Sequence, residues 1–130
     1  MKYPPFVPAH KSDEEAIKLL RKTEWSKARP YAMALLEWLQ DINSPHFNPI
    51  YNYLMPYIHE LGAEFCEVFR SDDNIWKTNC IYLLEKARAP LSDTNLLALL
   101  MRIATDPTPG EICDDTAQAA RELAEEWNLL

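Results

Sequence analysis

The sequence predicts an all-α protein built as a stack of antiparallel helix pairs, with about six or seven helices. Apolar residues recur at helical spacing, no segment alternates long enough to indicate a β-strand, and only two glycines are available for tight hairpin turns. One phrase also recurs: an apolar helix, a turn of Asp, Asn, Ser and Pro residues, then a second helix. Aligning Trp38, Phe69 and Ile103 gives steps of 31 and 34 residues. Such periods are typical of stacked helical hairpins.

Length and composition predict an extended arm at residues 1–12 and a single helical-repeat domain at residues 13–130. Three prolines, Pro4, Pro5 and Pro8, indicate the extended arm. An apolar fraction of 48% argues against disorder, and 130 residues suffice to bury a core without disulfides.

The first two helices are predicted from a capping residue and an apolar stripe. Ser12 or Asp13 caps the first helix, whose opening turn carries two glutamates that favour the helix dipole. The second helix opens over residues 26–30, where a proline is tolerated in the first turn. Its stripe includes Trp38 and ends at Ile42, so we expect Trp38 in the core.

Prolines and a glycine mark the predicted boundaries and kink of the next two helices. Residues 48–49 open the third helix, and Pro56 inside it should kink or split it because proline lacks a backbone donor. Gly62 is expected to break the chain direction. A short fourth helix follows, with Phe65 and Phe69 on its apolar face.

Caps mark the last three helices. Ser71 or Asp72 is predicted to cap the fifth helix, and Ser92 the sixth. The sixth is apolar nearly all round, so it should be the most buried element. Residues 105–110 are predicted to form a turn, and the seventh helix to start near Asp114.

The three cysteines, Cys66, Cys80 and Cys113, each fall in an apolar stripe, which predicts buried free thiols in a reducing compartment. None has zinc-ligand spacing. The amino terminus lacks the apolar core of a signal peptide, and no apolar run approaches the ~20 residues of a membrane span. These features predict a cytoplasmic protein that does not enter a membrane.

The net charge of −7 is distributed unevenly. Residues 1–30 hold seven Lys/Arg and four Asp/Glu, net +3, whereas residues 31–130 hold six and sixteen, net −10. An acidic body repels phosphate backbones and attracts basic proteins, so nucleic-acid binding is the least favoured function and has support only from residues 18–29. A solvated acidic face kept for solubility is the simpler alternative.

The sequence offers no catalytic residue, no cofactor site and no metal site. The histidines form no Ser-His or Cys-His pair by spacing, HExxH is missing, and His46 is expected to be exposed in a turn. Asp72 and Asp73 could serve a metal if further oxygen ligands converged on them, but helix capping explains them more simply.

Candidate partner-binding residues lie in the turns and on the aromatic third helix. Trp76 is a possible surface anchor, since tryptophan is enriched in interface hot spots, although a core position is the stronger alternative. Tyr51 lies off the main stripe. The full set of partner-binding candidates is Asp41, Asn43, His46, Tyr51, Asp72, Asp73, Trp76 and Lys77.

Four phrases carry a family resemblance: residues 8–16 (PAHKSDEEA), 35–45 (LLEWLQDINSP), 71–77 (SDDNIWK) and 103–108 (IATDPT). They resemble a small, mainly bacterial family, the domain of unknown function 5071. The resemblance spans most of the chain and implies an all-α, HEAT-like fold. It implies no functional residue, because the family has no assigned activity.

Two hypotheses about function follow. The first is a HEAT-like protein-interaction module, for example an immunity or regulatory protein that neutralises a basic partner such as a toxin nuclease. The second is an enzyme with an acid/His site near Asp72, Asp73 and His46. The sequence does not fix the oligomeric state.

Overall fold

The computed structural model describes residues 3–130, and these residues form helices with no β-strand among them. The all-α prediction is therefore confirmed. The described residues divide into two compact units, one that ends at Pro56 and one that runs Tyr57–Leu130. The predicted single domain and its stacked, HEAT-like arrangement stay predictions. The α-helices are α1 Glu14–Arg21, α2 Trp25–Ala28, α3 Ala32–Leu36, α4 Phe47–Leu54, α5 Gly62–Arg70, α6 Asn74–Leu84, α7 Thr94–Thr105, α8 Pro109–Cys113 and α9 Thr116–Glu126.

In the first unit, the α1 helix begins as predicted. The Asp13 carboxylate caps it by accepting the N–H of Ala16, and α1 buries Ala16, Ile17 and Leu20. The Tyr53 hydroxyl of α4 donates to the carbonyl of a residue just after α1 at 2.7 Å. The α1 and α4 helices therefore pack together.

The predicted second helix is divided into four short segments. The α2 and α3 helices alternate with 3₁₀ turns at Arg29–Tyr31 and Glu37–Gln40. Pro30 lies in the first of these turns, where its missing N–H prevents a continuous α-helical ladder. The backbone is extended at Asp41, so the helical segment ends two residues before Ile42.

Because the helix ends at Gln40, two predictions about this stripe are wrong. Ile42 is 61% exposed instead of buried. Trp38 is half-buried and lies at the edge of the core. The prediction at Pro56 is confirmed, because the α-helix stops at Leu54 and continues as a 3₁₀ turn over Met55–Glu60.

In the second unit, α6 and α7 both pack against α9, and α5 packs against α6 and α7. The most buried helix of this unit is α6, with eight of its eleven residues buried, against four of twelve in α7. The prediction that the helix at Thr94–Thr105 is the most buried is therefore wrong. Its side chains at Leu97, Leu99 and Met101 stay half-exposed, since neighbouring helices cover one face only.

Both predicted caps in this unit fall one or two residues before the true ones. Asp73 caps α6 by accepting the N–H of Trp76 at 2.9 Å, and Asp93 caps α7. The Ser71 hydroxyl donates to the carbonyl of Val68 at the end of α5 and accepts the N–H of Asp73, which precedes the first residue of α6. Gly62 is the first residue of α5, after the 3₁₀ turn that ends at Glu60, and a Cβ there would meet the Asp93 carboxylate at 2.7 Å.

Candidate functional site

A buried ionic centre joins three segments of the second unit. The Glu111 side chain has no exposed surface and accepts two parallel hydrogen bonds from Arg102, Nη1 to Oε1 at 2.6 Å and Nη2 to Oε2 at 2.7 Å. Lys77 Nζ donates to Oε2 at 3.0 Å, and the backbone N–H of Thr108 donates to Oε1 at 2.8 Å. The carboxylate is therefore saturated with donors.

These partners also set the acidity of Glu111. The hydrogen bonds from Arg102 are the main cause that lowers its pKa to about 2, and the donors from Thr108 and Lys77 add to the effect. Burial acts in the opposite direction. Glu111 is thus ionised throughout the physiological range and acts as a structural anion.

The local sequence builds this centre through a capping box. Thr108 caps α8 with Pro109 in its first turn, and Glu111 at the third position returns a hydrogen bond to the Thr108 N–H. Gly110 allows close approach, because a Cβ there would lie 2.5 Å from Asn74 Nδ2. Residues 105–110 were predicted as a turn only, although the Thr-Pro-x-Glu spacing signals this helix start.

A second polar cluster fixes the start of α6 against the start of α9. Thr78 and Thr116 share a hydrogen bond of 2.7 Å between their hydroxyls. Both hydroxyls also contact the carbonyl of Asn74, and Lys77 Nζ donates to the Asn74 side chain at 3.1 Å. Residues of the 71–77 segment therefore hold helices together.

Four of the predicted partner-binding residues lie in the 71–77 segment. Trp76 is buried in the core at 7% exposure, and Lys77 is 4% exposed within the ionic centre. Neither side chain reaches the surface. Asp73 is the α6 cap, and Asp72 beside it is exposed.

In the first unit, His46 is buried at 2% exposure, so the prediction that it is exposed is wrong. Its Nε2–H donates to the carbonyl of His10 at 2.9 Å, and its ring stands perpendicular to that of Trp38 at 5.0 Å. Residues of the amino-terminal arm therefore cover it. Asn43 is exposed beside Asp41, whose carboxylate accepts the Asn43 N–H at 2.9 Å. Tyr51 is half-buried against Phe47 of its own helix.

A cleft of about 330 Å³ lies beside this turn in the first unit. It is lined by a half-buried indole, two carboxylates, an ammonium group and a buried hydroxyl, which is the chemistry of a side-chain recognition site. Its main lining residues are Tyr3, Lys11, Glu37, Trp38, Asp41 and Ser44.

The second unit has an outward face that the sequence analysis missed. The exposed positions of α6 are Ile75, at 53%, and Tyr82, at 42%, and on the short α8 helix Ile112 is 61% exposed. Ile75 and Tyr82 are seven residues apart, so they project from one side of α6. We call Ile75, Tyr82 and Ile112 the α6–α8 face. The signal available in the sequence for Ile75 and Tyr82 was their place on α6, away from the buried side that carries Trp76 and Cys80.

Acidic residues dominate the unit that carries this face. Tyr57–Leu130 contains six Lys/Arg and fourteen Asp/Glu, net −8. Near the end of α6, burial raises the pKa of Glu85, and the neighbouring carboxylates of Glu126 and Glu122 raise it further. The carboxylates of Glu85, just after α6, and of Glu122 and Glu126 on α9 therefore form a zone of negative potential.

The three cysteines differ in exposure. Cys66 and Cys80 are buried free thiols, but Cys113 is exposed at the end of α8, so the prediction that it is buried is wrong. Across residues 3–130, no group of three or more His, Cys, Asp and Glu side chains is arranged to hold a metal ion. Within the same residues, no helix combines the length and apolar character needed to cross a membrane.

The fold and these sites define a class: a small all-α protein with a buried ionic centre and an acidic surface that exposes apolar side chains. The model of one protein family, described as a domain of unknown function (DUF5071), matches residues 6–124. The chain therefore belongs to this family, as the resemblance of its four phrases implies. A search of curated proteins returns no match to the chain.

Proposed function

We propose that this protein is a non-catalytic, HEAT-like interaction module that binds a basic partner protein through the α6–α8 face. The observation that carries the proposal is the identity of the exposed α6 positions. Both Ile75 and Tyr82 are large and apolar in a unit of net charge −8. A helix that only faced water would gain solubility from polar residues there.

The apolar side chains supply the affinity in this proposal. Single exposed apolar residues are common on protein surfaces, whereas contiguous apolar patches mark interaction sites. The α8 helix is fixed beside the first turn of α6, because Glu111 binds Lys77 and Gly110 abuts Asn74. Ile112 is therefore presented from a rigid support.

The charge of the unit supports the choice of partner. Lys77 and Arg102 are engaged by Glu111, so the rest of the unit has four cations against thirteen acids. Such a surface steers a basic protein toward it and repels an acidic one. The proposed partner is thus a basic segment with apolar side chains, as in an immunity or regulatory protein that neutralises a basic toxin. A cytoplasmic location stays a prediction from the free thiols.

The test is affinity capture of the tagged protein from cells of its own source, at ~50 mM and ~300 mM salt. We expect a basic partner at low salt that is lost at higher salt, and lost with Ile112→Ser at either salt. Ile42→Ser is the matched control, because the same residue type is 61% exposed in the other unit. Partner retention by Ile112→Ser, or equal loss with both variants, would contradict the proposal.

A further inference from the structure

We propose that the cleft in the unit that ends at Pro56 binds the guanidinium group of an arginine side chain presented by another protein. This site lies in a different unit from the α6–α8 face and is argued from different residues, so it does not rest on the function proposed above. The cleft has about 330 Å³ of space, which is enough for one long side chain.

The aromatic rings of the cleft suit a planar cation. Trp38 is only half-buried in it, and Tyr3 at its edge is 50% exposed. The negative faces of indole and phenol rings attract cations, and guanidinium groups also stack on them. Tryptophan is enriched among the residues that contribute most to binding between proteins. A partly exposed tryptophan in a cleft therefore supports a binding role.

The carboxylates of the cleft favour a cation over an anion. Glu37 and Asp41 both line it and are exposed, and Glu37 makes no ion pair within residues 3–130. Two carboxylates against the single ammonium of Lys11 leave the cleft with a net negative charge. Guanidinium can bridge carboxylates with its fork of donors, which a lysine ammonium does less well.

Lys11 places an ammonium group in the cleft, but that group is only weakly held there. Its Nζ lies 4.0 Å from Asp41 Oδ2, beyond hydrogen-bond distance, and the two side chains are 72% and 51% exposed. Exposed pairs of this kind contribute little stability. An incoming arginine can therefore displace the ammonium, and Lys11 competes with the ligand for Asp41.

A buried hydroxyl completes the cleft. Ser44 lines it at 7% exposure, and its oxygen accepts the backbone N–H of His46 at 3.3 Å. The hydroxyl hydrogen can then donate to a carbonyl group of the bound segment. This donor favours a peptide-borne arginine over a simple amine.

The test uses the full chain and N-acetyl-arginine amide as the probe. The indole N–H signal of Trp38, assigned through Trp38→Phe, is followed by NMR as the probe is added. The matched probes are the citrulline analogue, which has the same shape without charge, and the lysine analogue. We expect a saturable shift with arginine, a weaker one with lysine and none with citrulline.

Variants of exposed residues then test the assigned roles. We expect Glu37→Gln and Asp41→Asn each to weaken arginine binding about tenfold, as loss of a charge-assisted hydrogen bond does. Lys11→Ala should strengthen it about threefold by removing the competitor. Glu67→Gln, exposed in the other unit, is the control and should change nothing. Equal shifts with citrulline, or weaker binding with Lys11→Ala, would overturn the proposal.

Discussion

Arg102 holds Glu111 through two parallel hydrogen bonds of 2.6 and 2.7 Å, and the Glu111 carboxylate has no contact with solvent. Lys77, 34 residues earlier in the chain, donates to the same carboxylate at 3.0 Å. Three segments of the second unit therefore meet at one buried anion. A cation left in such a place without its partner is costly, because it cannot be rehydrated.

The first prediction concerns this anion. Glu111→Gln removes the charge that neutralises buried Lys77 and weakens the α8 capping box. We expect a loss of about 3–5 kcal/mol in the free energy of unfolding, measured by urea denaturation. Asp41→Asn is the control, because it breaks only the exposed pair with Lys11, and it should cost less than about 1 kcal/mol. Equal losses for both variants would contradict the role of Glu111.

The second prediction is a loss of stability in acid. The folded structure lowers the pKa of Glu111 from 4.5 to about 2, chiefly through Arg102. The unfolded chain therefore takes up the proton first as the pH falls. The stabilisation is complete above pH 4.5 and disappears as the pH falls toward 2.

This acid sensitivity can be measured by urea denaturation at successive pH values from 6 down to 2. Glu111→Gln should have a shallower dependence of unfolding free energy on pH than the natural protein, since the variant has no carboxyl group to protonate. Parallel curves for the two proteins would show that other carboxyl groups cause the loss.

The third prediction concerns the buried histidine of the first unit. His46→Leu introduces an apolar side chain of similar size and removes the donor to the His10 carbonyl. We expect a loss of about 1–3 kcal/mol, because a part-buried acceptor loses its partner. Tryptophan fluorescence should also change, since the imidazole ring contacts Trp38. His59→Leu, at an exposed position, should leave both quantities nearly unchanged.

The fourth prediction concerns thiol reactivity. Cys113 is exposed, whereas Cys66 and Cys80 are buried and their burial raises the pKa of both thiols. An aromatic disulfide reagent should therefore modify one thiol rapidly in the folded protein and all three in denaturant. Cys113→Ser should abolish the rapid reaction. Rapid modification in that variant would mean that a second cysteine is accessible.

Local rules predicted much of the fold. Asp13 caps the first helix, and Pro56 ends α-helical geometry, because each effect depends on atoms within one turn of the chain. The predicted capping residues of α6 and α7 lie one or two positions before the observed ones. Adjacent Ser and Asp residues compete for the same role, and only the course of the backbone selects one.

The candidate sites were less predictable than the fold. Asp41, Asn43 and Asp72 are exposed in turns as expected of binding candidates, but Trp76 and Lys77 are taken into the interior. Exposure depends on which residues of other segments cover a side chain. The α8 helix has only five residues, so no helical stripe in the sequence contains that information for Ile112.

Local chemistry along the chain accounts for the helical class, the cap at Asp13, the break at Pro56 and the acidic charge of the second half. Each of these follows from local backbone chemistry or from a count of ionisable groups. The tertiary structure alone decided the pairing of Lys77 with Glu111 and the burial of His46 under the His10 carbonyl. Those contacts join residues 34 and 36 positions apart, and they exist only because folding brings distant segments together and removes water between them.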